Sequence, residues 1–350
     1  MPSLHSVAPL RGLIETIAVG AAGGLALTSA GVPAGWLCGA ALSVAVLALA
    51  GRPMEMPNRL RDAIFIVLGT SMGSALTPKT LDDIQLWPMS FVILLVSVAV
   101  TMAVGAWYLR RFHGWDDATA RLSSTPGALS AVLILATGTR ANFPVVALSQ
   151  TLRQFVLISL VPVAMMMGTP AVVALPQSTA GPFDMLLMLA GGIAGSWVAM
   201  RLKVPGGRLI GAMLASSALH VLGYVDGRLA PSLLTAAYVL MGCVIGSRFR
   251  GTSLSTLRAK LLPALGCIFV TVGFSIAFAL LCQHLLGLPF AEIWLAYAPG
   301  GVEAMTVMAY ALNLEPSYVS AHHVIRLLAL VLLSPLWTAA IMRPPAEKTT

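Results

Sequence analysis

Charged side chains are scarce in this sequence: Asp, Glu, Lys and Arg together make up 10% of its 350 residues. A soluble globular chain usually carries about a quarter of its residues as charges. Instead, 58% of the residues are hydrophobic, which is enough for roughly ten membrane spans of about 20 apolar residues each. The composition therefore excludes almost every soluble enzyme and nucleic-acid-binding module, and it predicts an all-α, polytopic membrane protein.

Cysteine and acidic residues are also few. The four cysteines lie inside apolar segments without the spacing of metal ligands, so each is expected to serve as a small hydrophobic side chain. The 13 acidic residues against 21 basic ones leave a net charge of +8, but the basic residues form short clusters between apolar runs, as topology signals do. We therefore expect no nucleic-acid partner, no cofactor and no metal site.

The sequence contains a duplication. Small residues, prolines and an arginine of the first half recur in the second half at an offset of 172 residues or, after one insertion, 173. The matched positions of the first half are Gly20, Gly23, Pro33, Gly35, Gly39, Gly69, Gly73, Ser74, Pro126, Gly127, Arg153 and Pro162. Because so many matches at a nearly constant offset are improbable by chance, we predict two membrane repeats, at about 11–168 and 183–342.

Each repeat contains six apolar segments, and the fifth is interrupted in the middle. The interrupted segments, about 117–138 and 290–312, carry Pro126-Gly127 and Pro299-Gly300. Such a segment is either a kinked span or a re-entrant hairpin, which enters the membrane halfway and returns. If both are hairpins, 17 of the 21 basic residues lie on the cytoplasmic side; if both cross, the split is 10 inside to 9 outside. The positive-inside rule therefore favours hairpins.

An odd number of spans turns the second repeat over relative to the first. Five transmembrane helices and one re-entrant hairpin per repeat predict two inverted repeats, with about ten transmembrane helices in total. The first apolar run contains Glu15 and is a poor signal peptide, so it is expected to be a retained helix. Both termini are then cytoplasmic, in a plasma membrane of the bacterial inner-membrane type. Inverted repeats with broken elements near the midplane form the frame of many secondary transporters.

Two arginines lie inside apolar segments, where a charge is costly and needs a partner or a cavity. Arg153 and Arg326 occupy matching places in the two halves. A new half-helix is expected after each Pro-Gly pair, with unpaired amide groups that point to the midplane. Two guanidinium groups and two helix N-termini suit an anion such as a carboxylate. The candidate substrate-binding residues are Ser124, Thr125, Gly127, Ser130, Gln150, Arg153, Gly300, Gly301 and Arg326.

Three titratable residues lie near this predicted centre: Glu303, His322 and His323. A carboxylate that alternates between an arginine partner and a proton can couple transport to proton flow, so these three are candidate coupling residues. Two alternatives stay open. Arg153 or Arg326 can neutralise Glu303 and cross-link helix and hairpin, and the histidines can form local hydrogen bonds on a packing face.

Five sequence segments carry a family resemblance. They are VPAGWLCGA at 32–40, FIVLGTSMGSAL at 65–76, TPGALSAV at 125–132, VPGGRLIGA at 204–212 and APGGVEAM at 298–305. With these segments the chain resembles the AbrB-type family of integral membrane proteins over nearly its whole length. The resemblance implies a duplicated membrane module, and family members are labelled as ammonia monooxygenases or as regulators of gene expression. The predicted architecture is also similar to elevator-type carriers, which implies a homodimer.

The sequence favours one function over two others. We expect a secondary transporter of a small anionic, carboxylate-type solute, of elevator type and coupled to protons or sodium ions. The alternative is a membrane protein that regulates gene expression without transport. Ammonia oxidation needs a copper or iron site with clustered ligands; only His322 and His323 are expected to lie together in the membrane, so no enzyme is predicted. The expected partners are the lipid bilayer, the anion and the coupling ion.

Overall fold

The structure is a computed structural model that describes residues 7–74, 84–126, 132–133, 136, 139–168, 178–204, 206–252 and 254–342. These residues form fourteen α-helices: α1 Val7–Ser29, α2 Gly35–Leu49, α3 Asn58–Gly73, α4 Trp87–His113, α5 Asp117–Ser124, α6 Phe143–Gly168, α7 Pro182–Arg201, α8 Gly207–Val221, α9 Pro231–Gly246, α10 Leu254–Leu286, α11 Phe290–Tyr297, α12 Val302–Ala311, α13 Pro316–Leu332 and α14 Ser334–Met342. The described residues contain no strand beyond an isolated bridge between Thr179 and Arg228. The predicted all-α class is therefore confirmed.

Six stretches of these helices are long and apolar enough to cross a membrane. They are Arg11–Ser29, Trp87–His113, Phe143–Ala164, Pro182–Arg201, Pro231–Phe249 and Leu257–Leu286. Helices α2, α12 and α13 are apolar but shorter. Helix α2, with 15 residues, is about 22 Å long against a hydrocarbon core of about 30 Å. The six long helices support a multi-pass membrane protein, whereas the total of ten spans stays a prediction.

The turn between α4 and α5 is encoded locally, and it sets where α5 begins. Gly114 ends α4 in the left-handed region with a φ of 63°, and Asp116 caps α5 by accepting a hydrogen bond from a first-turn amide at 2.8 Å. Asp117 forms an ion pair with Arg110 at 2.7 Å across the turn. Gly287 follows α10 with a φ of 68°, at the position that matches Gly114. The same turn chemistry therefore ends the long helix of each half.

The helices divide into two units. The first unit consists of the described residues of Met1–Gln85, Phe155–Leu254 and Glu303–Ser320. The second unit consists of those of Leu86–Gln154, Ser255–Val302 and Ala321–Thr350. Each unit takes segments from both predicted repeats, while the repeat boundaries themselves stay a prediction.

Glycines allow the helices of the first unit to pack closely. Helix α3 packs on α8, and α9 packs on α2. A Cβ at Gly73 would lie 2.6 Å from the carbonyl oxygen of Met213, and a Cβ at Gly246 would lie 2.6 Å from that of Ala41. The pairs Gly69–Leu209 and Gly242–Leu37 show the same relation. Because each contact maps onto the other at the repeat offset, the α3–α8 and α9–α2 packings are copies of one another.

Two buried clusters hold α5 in place within the second unit. The first joins α5 to α4 and α10, and the second joins α5 to α6 and α14. The first consists of Ala106, Leu109, Ala120 and Cys267; the second consists of Ala118, Leu122, Val132, Ala136, Val146 and Ile341. Helix α5 is therefore packed on opposite sides, which holds its C-terminal end close to the polar residues of α6.

Replacing Gly242 by alanine is expected to destabilise the fold, because the added Cβ meets the carbonyl oxygen of Leu37 and the side chain of Ala40. Overpacking of this kind costs about 1–3 kcal/mol, so the purified protein should unfold at a lower temperature. Gly273→Ala is the matched control, since a Cβ there meets no atom within 4 Å. Equal unfolding temperatures for Gly242→Ala and Gly273→Ala would contradict this account of helix packing.

Candidate functional site

Two short helices, α5 and α11, end beside the two Pro-Gly pairs. Helix α5 ends at Ser124 and α11 ends at Tyr297. The residues that precede the prolines, Thr125 and Ala298, are extended, with ψ angles of 118° and 137°, as a following proline favours. Each helix therefore stops and leaves its last carbonyl groups without helical partners. Buried carbonyl groups need donors from elsewhere in the chain.

Arg153 on α6 supplies donors to the end of α5. Its Nη1 donates to the carbonyl oxygen of Ser123 at 3.4 Å, and its Nη2 donates to Oε1 of Gln150 at 2.5 Å. Nε2 of Gln150 donates in turn to the carbonyl oxygens of Leu122 at 2.7 Å and Thr125 at 3.1 Å. Arg153 and Gln150 are both buried. One guanidinium group and one amide group thus bind three carbonyl oxygens at the end of α5.

Arg326 on α13 does the same for α11. Its Nη1 and Nη2 donate to the carbonyl oxygens of Ala298 and Gly300, both at 2.7 Å, and Nη2 also contacts Nδ1 of His323. Nε2 of His323 lies 3.1 Å from the carbonyl oxygen of Leu295. Because a guanidinium group can only donate, Nδ1 accepts and Nε2 carries the proton. His323 is therefore a neutral imidazole with both ring nitrogens in use.

The two arginine networks resemble one another at the repeat offset. Arg153 corresponds to Arg326 and Gln150 to His323, and the carbonyls of Leu122 and Leu295, which contact Gln150 and His323, correspond as well. The carbonyl partners of the arginines differ, because Arg153 binds Ser123 whereas Arg326 binds Ala298 and Gly300. In both networks the residue three positions before the arginine accepts from the guanidinium and donates to a carbonyl. A cation at the C-terminal end of a helix is favoured by the helix dipole. The arginines thus bind helix C-termini, whereas their predicted role with helix N-termini in anion binding stays a prediction.

The structure places two predicted site hydroxyls at the end of α5. Oγ of Ser124 donates to the carbonyl oxygen of Met102 at 3.2 Å. Oγ1 of Thr125 donates to the carbonyl oxygen of Arg121 at 2.7 Å. Both hydroxyl groups therefore already donate to backbone carbonyls, and they terminate α5 and attach it to α4.

The remaining predicted residues lie around the second break and outside the described part of the chain. Gly301 is buried just before α12. Glu303 belongs to the first unit, where its charge interacts with that of Arg248. The predicted ion pair between Glu303 and an intramembrane arginine stays a prediction. Gly127 and Ser130 lie outside the described residues.

His322 is enclosed by aromatic side chains of the second unit. Its Nε2 lies 2.8 Å from Oγ of Ser90, and its ring centroid lies 4.5 Å from that of Phe91. Tyr297 and Trp87 lie further away, with centroids at 6.1 and 6.4 Å. Ser90 and Phe91 could not be identified from the sequence, because a serine in a long apolar helix does not by itself indicate a partner of His322.

Part of the hydrogen-bonding capacity around the arginines is unused. Nε of Arg153, Nε of Arg326 and the hydroxyl groups of Ser123 and Ser149 are buried and have no hydrogen-bond partner. The free N–H groups can donate to a further acceptor, and the positive charge of the guanidinium groups favours an acceptor with negative charge.

Carboxylates are few in the second unit. Its sequence ranges contain Asp116, Asp117, Glu292 and Glu347. Asp116 caps α5, Asp117 pairs with two surface arginines, and Glu292 lies in the first turn of α11, at the end away from Arg326. The ion pairs between described residues involve Arg52, Arg61, Arg110, Arg121, Arg208 and Arg250. Both buried arginines therefore lack a paired carboxylate within the described chain.

A wide groove of about 950 Å³ also lies on the second unit. Helices α4, α5, α13 and α14 line it with mostly apolar side chains, among them Trp107 and Trp337. Arg110 and Arg121 stand at the end near the α4–α5 turn and already pair with Asp117. Trp107 is 57% exposed, as suits a side chain that faces lipid. The groove is mostly apolar and its two arginines are already paired, and neither Arg153 nor Arg326 lines it. The networks around Arg153 and Arg326 are therefore the better candidate site for an anion.

This fold and this site define a class: a polytopic helical membrane protein with a buried arginine network that occurs twice. A profile of the family described as "Transition state regulatory protein AbrB" matches residues 5–342. The chain therefore belongs to the AbrB family, as the five sequence segments had indicated.

Two relatives show how far the similarity extends. The Escherichia coli K12 protein named "Putative regulator AbrB" is 27% identical over 313 residues, which covers 87% of this chain and 89% of the relative. The Bacillus subtilis 168 protein named "Uncharacterized protein YhjN" is 27% identical over 356 residues, which covers 91% and 90%.

The match between Gln150 and His323 predicts that glutamine can replace the histidine. His323→Gln should unfold at nearly the wild-type temperature, because an amide can accept from Arg326 and donate to the carbonyl oxygen of Leu295. His323→Leu should be less stable by about 1–3 kcal/mol, since it leaves both groups without this partner. Thermal unfolding of the two purified variants tests this. Equal losses would show that hydrogen bonding at this position does not hold α11.

Proposed function

We propose that this protein is a secondary transporter of a small organic anion of the carboxylate type. The observation that carries the proposal is the pair Arg153 and Arg326, buried with unused Nε–H donors and without a paired carboxylate among the described residues. An unpaired charge inside a membrane protein is costly and marks a functional site by default. A carboxylate accepts charge-assisted hydrogen bonds from a guanidinium group and neutralises it.

Two inverted repeats, each with five transmembrane helices and one re-entrant hairpin, form the proposed architecture. The reciprocal contacts of Gly73 with Met213 and of Gly246 with Ala41 support an internal two-fold relation. The similar arginine networks support it as well. In this arrangement both termini are cytoplasmic and the protein lies in a plasma membrane of the bacterial inner-membrane type. Broken helices at matching places in inverted repeats are typical of secondary transporters.

An elevator mechanism fits the division into two units. The second unit holds both arginines together with α5 and α11, so it is the part that carries the anion in this proposal. Helices of the first unit form the static frame, and by analogy with elevator carriers two copies form a dimer. Glu303 and His322 are the proposed coupling groups for a proton or a sodium ion. His323 is the weaker candidate, because both of its nitrogens already hold α11 and Arg326.

Flux measurements on purified protein in liposomes test the transport proposal. A thermal-shift screen of small carboxylates first selects the anion, and its uptake is then measured. Arg153→Gln should reduce uptake by roughly tenfold or more, because it removes the charge while keeping an N–H donor for the carbonyl of Ser123. Arg201→Ala is the matched control, since Arg201 is exposed and stacks on Trp197. Absence of any bound or moved anion, or wild-type uptake by Arg153→Gln, would overturn the proposal.

A regulatory role without transport is the second candidate, and the name of the Escherichia coli relative favours it. Gene deletion followed by complementation separates the two functions. If transport is the primary activity, Arg153→Gln should fail to restore the expression pattern of the wild-type strain. If this variant restores the pattern while it moves no anion, the protein regulates expression by another route.

Cysteine labelling tests the ten-helix arrangement. Ser178 is exposed in the connection between the halves, and the arrangement places it outside the cell, whereas Lys203 lies on the cytoplasmic side. A membrane-impermeant maleimide should label Ser178→Cys in intact cells and Lys203→Cys only after permeabilisation. The native cysteines contribute little background because all four are buried. The reverse labelling pattern would show that the first broken segment crosses the membrane, because both positions lie between the two broken segments.

A further inference from the structure

A small cavity lies beside Arg153. Its volume is about 10 Å³, and its lining includes Ser123, Ser149, Arg153, Ala264 and Cys267. This volume is close to the minimum that a single water-sized group needs. Nε of Arg153 and the hydroxyl groups of Ser123 and Ser149 line it without a hydrogen-bond partner. These three residues are only 3%, 5% and 6% exposed, so bulk water does not reach the donors freely.

Two of the residues that line this cavity have ring-bearing counterparts in the repeat. At the repeat offset, Ser149 corresponds to His322 and Ala264 corresponds to Phe91. The rings of His322 and Phe91 lie 4.5 Å apart between their centroids, and His322 also bonds to Ser90. Ser149 and Ala264, the two small residues that line the cavity beside Arg153, therefore correspond to a contacting pair of rings on the helices α4 and α13.

The lining of the cavity determines which group it can hold. A guanidinium N–H and two hydroxyl groups can all donate, so the group must accept hydrogen bonds. Neither Arg153 nor Arg326 has a paired carboxylate within the described chain. A negative charge neutralises the buried guanidinium group, whereas a water molecule satisfies only the hydrogen bonds.

We propose that this cavity binds a single anionic atom, either one oxygen of a carboxylate or a halide ion. Arg153 is then the ligand-binding arginine, and Arg326 is a positioning residue that holds α11. The carboxylate source rests on the proposed transport function, whereas the halide source does not. The proposal makes the two arginines unequal: Arg153 faces a cavity, whereas His322 and Phe91 replace the small residues at the positions that correspond to Ser149 and Ala264.

Thermal unfolding in different sodium salts tests the proposal on the purified full-length protein. Chloride, bromide and acetate are compared at equal ionic strength with gluconate, whose six-carbon polyhydroxy chain would have to follow its carboxylate into this buried site. At least one of the small anions should raise the unfolding temperature in a saturable manner. A response to halides alone identifies a halide site, and a response to acetate identifies the carboxylate. Equal unfolding temperatures in all four salts would overturn the proposal and leave water as the occupant.

Two variants and one control test whether the change in unfolding temperature arises from anion binding in the cavity. Ala264→Phe introduces the residue type of its counterpart Phe91 and should abolish the response, whereas Ser90→Ala, which removes a partner of His322, should preserve it. Ser149→Ala removes one donor without adding volume and should weaken the apparent affinity by roughly tenfold. An unchanged response in Ala264→Phe and Ser149→Ala would place the anion elsewhere. Normal uptake by Ala264→Phe would defeat the carboxylate source alone, and a saturable anion response without uptake would defeat only the transport proposal.

Discussion

The site depends on one interaction: a guanidinium group bound to the carbonyl oxygens of a helix that stops inside an apolar protein. Such carbonyls find no water in a membrane, so the protein itself must supply the donors. Arg153 does this for α5, with Gln150 as its extension, and Arg326 does it for α11 through His323. The same interaction leaves positive charge buried. The arginines that bind these backbone carbonyls therefore also supply the buried positive charge on which the proposed anion site rests.

This interaction occurs in both halves of the chain, although its surroundings differ. The donor pattern from the residue three positions before each arginine is shared, although one side chain is an amide and the other an imidazole. Around this common frame the packing differs. Ser149 lines a cavity beside its arginine, whereas His322, its counterpart, packs against aromatic rings.

Much of this arrangement could be predicted because residue types and their spacing along the chain are enough to indicate it. Glycine, proline and arginine at a constant offset indicate the repeat, and a Pro-Gly pair in an apolar segment indicates a broken helix. The partners of the arginines could not be predicted in the same way. Spacing along α6 places Gln150 on the same helical face as Arg153, but only packing reveals that the carbonyl of Leu122 lies opposite. Glu303 lies only three residues after Gly300 in the sequence, yet it belongs to the other unit.

The sequence by itself determined the helical class, the membrane environment, the family, the two breaks and the two buried arginines. Composition, periodicity and proline chemistry act within a few residues, so they need no knowledge of the fold. Only the tertiary structure decided that the arginines bind helix C-termini, that His323 is neutral and that a cavity lies beside Arg153. The cavity arises where α4, α5, α6 and α10 meet, and His323 and Arg326 contact the end of α11 from α13. Each of these features depends on side chains and backbone groups from distant parts of the chain, so no local sequence pattern predicts it.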